Sequence, residues 1–236
     1  MAKKNTAPPS ASAVIAAAGC GSRMNSKSNK QFILLDGIPI LAYTLLQFCK
    51  AETVSEIIIA AQNEDILTVN DLVRDFGISK VRAVVPGGST RQESVSCGLA
   101  RVTGEITLVH DGARPFVSVE AINSAVYAAD KYGAAALGVP LKDTAKLVSA
   151  DNTIISTPER SSLRLVQTPQ AFRTGLIQRA YSHAAETGFA GTDDCSVAEH
   201  YGIPVKIIDG EYTNIKITTP EDIPVAEAIL GFLQNT

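Results

Sequence analysis

The stretch "AVIAAAGCGSRMNSKSNKQF", Ala13–Phe32, decides the fold. It opens as a short apolar run without alternation, the pattern of a strand buried on both faces of a parallel sheet. It then breaks into Gly19-x-Gly21 and presents Arg23, Lys27 and Lys30 before turning apolar again. A small-residue loop after a strand lets backbone N–H groups approach anion oxygens, while nearby cations neutralise them. Phosphate is therefore the expected ligand, with Lys27 read as a solvated loop charge. Two familiar phosphate loops fail on spacing. A dinucleotide fingerprint needs a third glycine where Met24 stands, and a P-loop needs Gly-Lys-Ser/Thr, which is absent.

Working outward, apolar runs of the same kind recur at Glu56–Ala61, Val81–Val85, Ile106–His110 and Ala134–Pro140. Helical segments fall between them, starting near Pro39, Glu64, Ser89 and Ser118; Ser118 suits an N-cap and Pro39 a first helical position. Repeated strand–helix–strand units predict an α/β fold with a mostly parallel sheet flanked by helices and joined by right-handed crossovers. From Lys142 to about Thr168 the chain turns polar and rich in Ser and Thr. Within that segment Thr144–Thr157 reads as two short strands joined at Asp151-Asn152, an arm that leaves the sheet and could reach a neighbouring subunit. The α/β pattern then resumes with a helix at Gly175–Gly188, another at Asp193–Gly202, a strand at Pro204–Gly210 and a last helix from Thr219. One domain over 13–236 is expected, behind a disordered leader over 1–12.

Bulk properties narrow the function. With 45% hydrophobic and 19% charged residues the chain is an ordinary globular protein. A net charge of -3 gives no broad field for nucleic acid, so phosphate chemistry must depend on local cations. No apolar run approaches the ~20 residues of a membrane span. The four cysteines, Cys20, Cys49, Cys97 and Cys195, form no C-x-x-C pair. They are expected to be free thiols in a reducing, cytoplasmic setting. The head "MAKKNTAPPSAS" has no apolar core for a secretory signal, although its basic character leaves an organelle-address remnant open.

In open parallel sheets, ligands sit at the carboxyl ends of the strands where strand order reverses. Three more such ends carry polar residues: "PGGSTRQESV" (Pro86–Val95) with Ser89, Arg91 and Ser94, "DGARPF" with Asp111 and Arg114, and Lys216 ahead of the last helix. Each alone has a structural explanation as a cap, a turn or a surface cation. Asp193-Asp194 reads as helix capping rather than metal binding. His110, His183 and His200 read as structural, and no metal-ligand cluster stands out in the sequence.

The ordered set "AAAGCGSRM…NKQF", "GGSTRQESV", "VHDGARPF", "DTAK", "QTPQAF", "TDDCSVAE" and "NIKITTPEDI" resembles the 2-C-methyl-D-erythritol 4-phosphate cytidylyltransferase family, from about Ala13 to Leu233. That resemblance implies a Rossmann-like nucleotide-diphospho-sugar transferase fold and a homodimer that joins CTP to methylerythritol phosphate with Mg²⁺, releasing pyrophosphate. Ala17, Ala18, Gly19 and Gly21 would hold the triphosphate, and Arg23 and Lys30 its α-phosphate. Gly88, Ser89 and Ser94 would face the cytidine. Asp111, with Gly112, would contact the ribose and reacting centre. Arg114 would hold the acceptor phosphate, while Arg160 and Lys216 would position it for attack with Thr144 and Thr168. Thr192 would contact the acceptor's diol from the dimer neighbour. The Mg²⁺ would be held mainly by the CTP phosphates. Two departures stand out: Asn29 replaces the usual proline before Lys30, and Ser89 takes a place often acidic. A ribitol 5-phosphate cytidylyltransferase, a guanylyl- or uridylyltransferase and a non-catalytic nucleotide-binding module remain alternatives.

Overall fold

The computed structural model describes residues 8–19 and 30–235, with Lys30 described in its backbone alone. In chain order the elements begin with β1 (Ala11–Ala17), β2 (Leu34–Leu35), β3 (Ile38–Pro39), α1 (Ile40–Lys50), β4 (Val54–Ala61), α2 (Ile66–Asp75) and β5 (Val81–Pro86). There follow α3 (Arg91–Leu99), β6 (Ile106–Asp111), α4 (Val119–Tyr132) and β7 (Ala134–Pro140). The chain continues through β8 (Leu147–Val148), β9 (Ile154–Ser156), β10 (Arg164–Arg173), α5 (Thr174–Thr187), α6 (Asp194–His200), β11 (Lys206–Asp209) and α7 (Asp222–Gln234).

Seven strands form the central sheet in the order β11-β7-β10-β6-β1-β4-β5. Helices cover both faces, which is why the strands read as unbroken apolar runs. Ala13, Ile15 and Ala17 of β1 pack with α1, α2 and α4, whereas Val14 faces Val95 and Leu99 of α3 and the α5–α6 layer. Helix α3 lies close on the sheet: a Cβ on Gly98 would stand 2.4 Å from Val14 Cγ1, so only glycine fits there. Ser118 caps α4 as expected, its hydroxyl accepting from the Ala121 N–H at 3.0 Å.

The sheet departs from the sequence expectation at β10. This strand runs antiparallel between β6 and β7, and its register shifts between Val166 and Gln170 across the cis Thr168-Pro169 bond. The arm therefore ends before Arg164 rather than near Thr168. Its tip is the expected hairpin, β8 paired with β9 around Asn152 at φ 63°. Strand β1 starts at Ala11, inside the expected leader, and residues 1–7 lie outside the described residues. Cys49, Cys97 and Cys195 are free thiols, and Cys20 is outside the described residues. Among the described residues no helix is long and apolar enough to cross a membrane.

Strand order sets the position of the site. From β1 the chain steps outward through β4 to β5, then crosses by α3 to β6 on the other side of β1. The reversal opens a crevice at the carboxyl ends of β1 and β6.

Candidate active site

The crevice is walled by the turns that follow β1, β5 and β6. The β1 turn is anchored by side-chain amides: Gln31 Nε2 donates to the Ala17 carbonyl, and Gln62 Nε2 to the Ala18 carbonyl at 3.1 Å. Gly112 N–H donates to Ala16 O at 3.0 Å, and its own carbonyl accepts from the Thr44 hydroxyl at 3.0 Å. The first of these bonds fastens the turn after β6 to the end of β1, and the second fastens it to α1. The β5 turn comes equally close: a Cβ on Gly87 would lie 2.5 Å from Ala18 Cβ and 2.8 Å from Ser94 Oγ.

Beyond Gly87 the chain folds back on α3. Gly88 N–H donates to Ser94 Oγ at 3.1 Å, and that hydroxyl donates to the Thr90 carbonyl at 2.8 Å. Thr90 caps α3 by accepting from Glu93 N–H. The Ser89 N–H and hydroxyl both donate to Glu93 Oε2, at 2.7 and 2.6 Å, and hold the Glu93 carboxyl below its usual range. Ser89 and Ser94 thus shape this loop through bonds within it.

Asp111, the last residue of β6, is the hub. Its Oδ1 accepts from Arg91 Nε at 2.9 Å, and Lys216 Nζ lies 2.7 Å from its Oδ2. Arg114 Nε stands 3.8 Å from Oδ2 and makes no hydrogen bond, while Arg114 Nη1 donates to Asn214 O at 2.8 Å. Burial pushes the Asp111 carboxyl up, but Arg91, Lys216 and Arg114 outweigh it and hold the group well below the usual carboxylate range. Burial lowers Arg114 somewhat, against the pull of Asp111.

Thr168 joins this hub through backbone and ring. The Asp111 N–H donates to Thr168 Oγ1 at 3.1 Å, and that hydroxyl meets His110 Nδ1 at 3.0 Å. His110 Nε2 lies 3.1 Å from the Arg114 carbonyl, which can only accept, so Nε2 carries the proton and Nδ1 accepts. Burial pushes the imidazole down to about 3, in keeping with a neutral ring. His110 is structural, as expected, and splints Asp111 to Arg114. Asn214 closes the group by donating to Thr168 O at 2.9 Å.

Of the residues expected at the site, Asp111, Arg114, Thr168 and Lys216 come together, bordered by Ala17, Ala18, Gly19, Gly88 and Gly112. Gly21, Arg23 and the Lys30 side chain lie outside the described residues. Arg160 and Thr144 lie on the arm. Arg160 donates to the Lys142 carbonyl at 3.0 Å and lines a cleft with Lys142, Glu159 and Arg164. Thr192 is exposed just ahead of α6.

Two residues of the hub were named in the sequence reading without a role in the site. Arg91 was a helix-start cation there, yet it also grips Asp194 through Nη1 at 3.2 Å and Nη2 at 2.8 Å. Asp193 alone is the cap of α6, in a capping box with Ser196, whereas Asp194 turns inward and is fully buried. Burial and the Asp194 carboxylate beside it push the Tyr181 phenol well above its usual range. Among the described residues no group of three His, Cys, Asp or Glu side chains could hold a metal unaided.

The family model described as 2-C-methyl-D-erythritol 4-phosphate cytidylyltransferase matches residues 11–232. A protein of that name from Pelotomaculum thermopropionicum is 46% identical over 226 residues, covering 94% of this chain and 95% of its own. One from Geobacillus kaustophilus is 48% identical over 221 residues, covering 93% and 96%. The crystal structure of 4-diphosphocytidyl-2C-methyl-D-erythritol synthase from Anaerococcus prevotii superposes with a TM-score of 0.85 at 35% identity, covering 95% of this chain and 97% of that one. A 2-C-methyl-D-erythritol 4-phosphate cytidylyltransferase structure from Thermus thermophilus gives 0.76 at 32% identity, covering 93% and 98%. An α/β sheet with its crevice at the β1–β6 reversal, matched over nearly its whole length by these proteins, places the chain in the 2-C-methyl-D-erythritol 4-phosphate cytidylyltransferase family.

Proposed function

We propose that this protein transfers CMP from CTP to 2-C-methyl-D-erythritol 4-phosphate, giving the diphosphocytidyl product and pyrophosphate for isoprenoid precursor synthesis. The observation that carries this reading is the Asp111–Lys216 pair beside Arg114, set between the Gly87–Gly88 turn and the Ala17–Gly19 turn. A phosphate oxygen of the acceptor attacks the α-phosphorus of CTP. The new O–P bond forms as the bond to the bridging oxygen breaks, and pyrophosphate leaves with the electron pair. The acceptor's second phosphate pKa is about 6, so it is already largely dianionic near neutrality and needs no general base. The enzyme's task is alignment and charge neutralisation.

The nucleotide lies against the turns after β1 and β5, with Ser89 and Ser94 keeping the second turn in shape for the cytidine. Arg23 and Lys30 neutralise charge that grows at the α-phosphate during displacement, while Lys216 and Arg160 position the acceptor phosphate for attack. Arg114, Arg160, Thr144, Thr168 and Thr192 hold the acceptor, Thr192 from the segment that Arg91 and Asp194 tie to this chain's own hub rather than from the dimer neighbour. The donor set fits Mg²⁺ held chiefly by CTP phosphates. Asp111 offers one carboxylate whose two oxygens each keep a lone pair beyond the Arg91 and Lys216 contacts, and Mg²⁺ favours one or two carboxylates with phosphate and water. When bound, the ion supplies further neutralisation of phosphate charge.

The protein acts as a cytoplasmic homodimer. Its arm exposes Leu147, Val148, Ile154 and Ile155, each 45% or more accessible, an apolar surface suited to a second copy. Sedimentation of an Ile154→Asp, Ile155→Asp variant should give a monomer; an unchanged dimer would remove the arm from the interface.

Pyrophosphate release with CTP and Mg²⁺ tests the activity, with methylerythritol 4-phosphate and ribitol 5-phosphate compared as acceptors. Turnover with the first alone is the expected result. Turnover with ribitol 5-phosphate alone, or with neither, overturns the reading.

A further inference from the structure

Arg91 is the first residue of α3, directly after the Thr90 cap. Its guanidinium serves carboxylates on two other elements: Nε on Asp111, and Nη1 and Nη2 on the two oxygens of Asp194. Asp194 also accepts from the Tyr181 hydroxyl, so its place is fixed from α5 as well. A planar fork can grip two carboxylates in set directions, which a lysine ammonium cannot. The next residue makes a second clasp to the same region: Gln92 Nε2 donates to Phe189 O at 3.0 Å, and its Oε1 accepts from Gly191 N–H at 2.9 Å. The start of α3 is thus bound at adjacent residues to 189–194, the segment that carries Thr192. It also continues the Gly87–Gly88 turn, held by Ser94.

We propose that Arg91 is a positioning residue for the transfer, fixing the plane of the Asp111 carboxylate and tying the nucleotide-side turn to the acceptor-side segment through Asp194. It acts through Asp111 and Asp194, since its Nε, Nη1 and Nη2 are all engaged by those carboxylates. The inference rests on the cytidylyltransferase reading above. Loss of the fork leaves a cation at the site but frees the two walls to shift, and misplacement by about 1 Å can lower a rate about 10²-fold.

The test measures pyrophosphate-release kinetics, CTP affinity by equilibrium titration and thermal melting for the parent protein, Arg91→Lys and Gln92→Ala. In Arg91→Lys the expected result is a fall in kcat of about 10²-fold with CTP affinity held within about threefold. A kcat within about threefold of the parent, or an equal loss of CTP affinity, overturns the proposal. If Arg91→Lys does not fold, Gln92→Ala decides: a raised acceptor KM at unchanged CTP affinity and cooperative melting supports the clasp, and unchanged kinetics overturns it. An inactive parent overturns the activity reading and this inference with it; an active parent with unaltered variants overturns this inference alone.

Discussion

Lys216 Nζ lies 2.7 Å from Asp111 Oδ2, on the oxygen that Arg91 Nε leaves free. A cation from just before the last helix thus completes a hub begun on β6. In Lys216→Ala the Asp111 charge keeps its Arg91 partner, so the fold should survive with a stability loss of about 1–3 kcal/mol. Turnover should fall by about 10²–10³-fold, the effect of removing one preorganised charge-stabilising donor, with CTP affinity little changed. Parallel losses in CTP affinity and turnover would show that Lys216 acts on the nucleotide and not on the acceptor phosphate.

The β1 and β5 turns meet at Gly87. A methyl group there would stand 2.5 Å from Ala18 Cβ, so Gly87→Ala must spread the two turns. CTP affinity should drop by about tenfold or more, and stability by about 1–3 kcal/mol, the usual range for overpacking. Calorimetric titration with CTP checks this, and unchanged binding would take the two turns out of the nucleotide site.

Thr168 relays between Asp111 N–H and His110 Nδ1 through one hydroxyl. Thr168→Val leaves both partners unsatisfied in a buried place, destabilising the protein by about 1–3 kcal/mol. Thr168→Ser should restore most of that loss in urea denaturation. Failure of serine to rescue would mean that the methyl group, not the hydroxyl, matters.

Far from the crevice, Glu56 accepts from the Ser12 hydroxyl at 2.5 Å and the Thr103 N–H at 2.7 Å, and pairs with Arg82 at 2.9 Å. Burial pushes its carboxyl up, but these partners outweigh that and hold it at about 2. Its folded-state value lies below the unfolded one, so its contribution is complete above about pH 4.5 and is lost as pH falls toward 2. Glu56→Gln should lose about 1.5–3 kcal/mol at neutral pH, leave kcat unaltered and flatten the acid limb of the stability curve. Urea denaturation between pH 5 and pH 2.5 gives the slopes; equal slopes in parent and variant exclude this role.

Strands β1, β4, β5, β6 and β7 were legible in the sequence because both faces are covered, so each reads as an apolar run. Strand β10 was not. Its polar residues are satisfied by distant partners: Gln167 donates to Glu211 O, and Gln170 bonds Asp193 and the Cys195 N–H. Locally, "RLVQT", Arg164–Thr168, reads as the end of a polar arm. The same reason hid Arg91 and Asp194. A guanidinium at a helix start and an aspartate after a cap are unremarkable until the fold sets them 2.8 Å apart. Asp111, Arg114 and Lys216 were legible as polar residues at strand ends, but their roles, and Thr168 altogether, only through the ordered motifs, since each alone suits a turn or a surface.

The insertion of β10 between β6 and β7 has a consequence for the order of assembly. As the chain emerges from its amino end, β1, β4, β5 and β6 can form a four-stranded sheet with their helices. Strand β7 emerges before its neighbour β10, so it stays apart from the β6 edge until residues 164–173 arrive, and β11 joins its far side later still. Until then β6 and β7 each present an open hydrogen-bonding edge, the feature through which partly made chains pair with one another. A nascent chain stalled on the arm should therefore be markedly more prone to aggregate than one released only a few residues past Arg173.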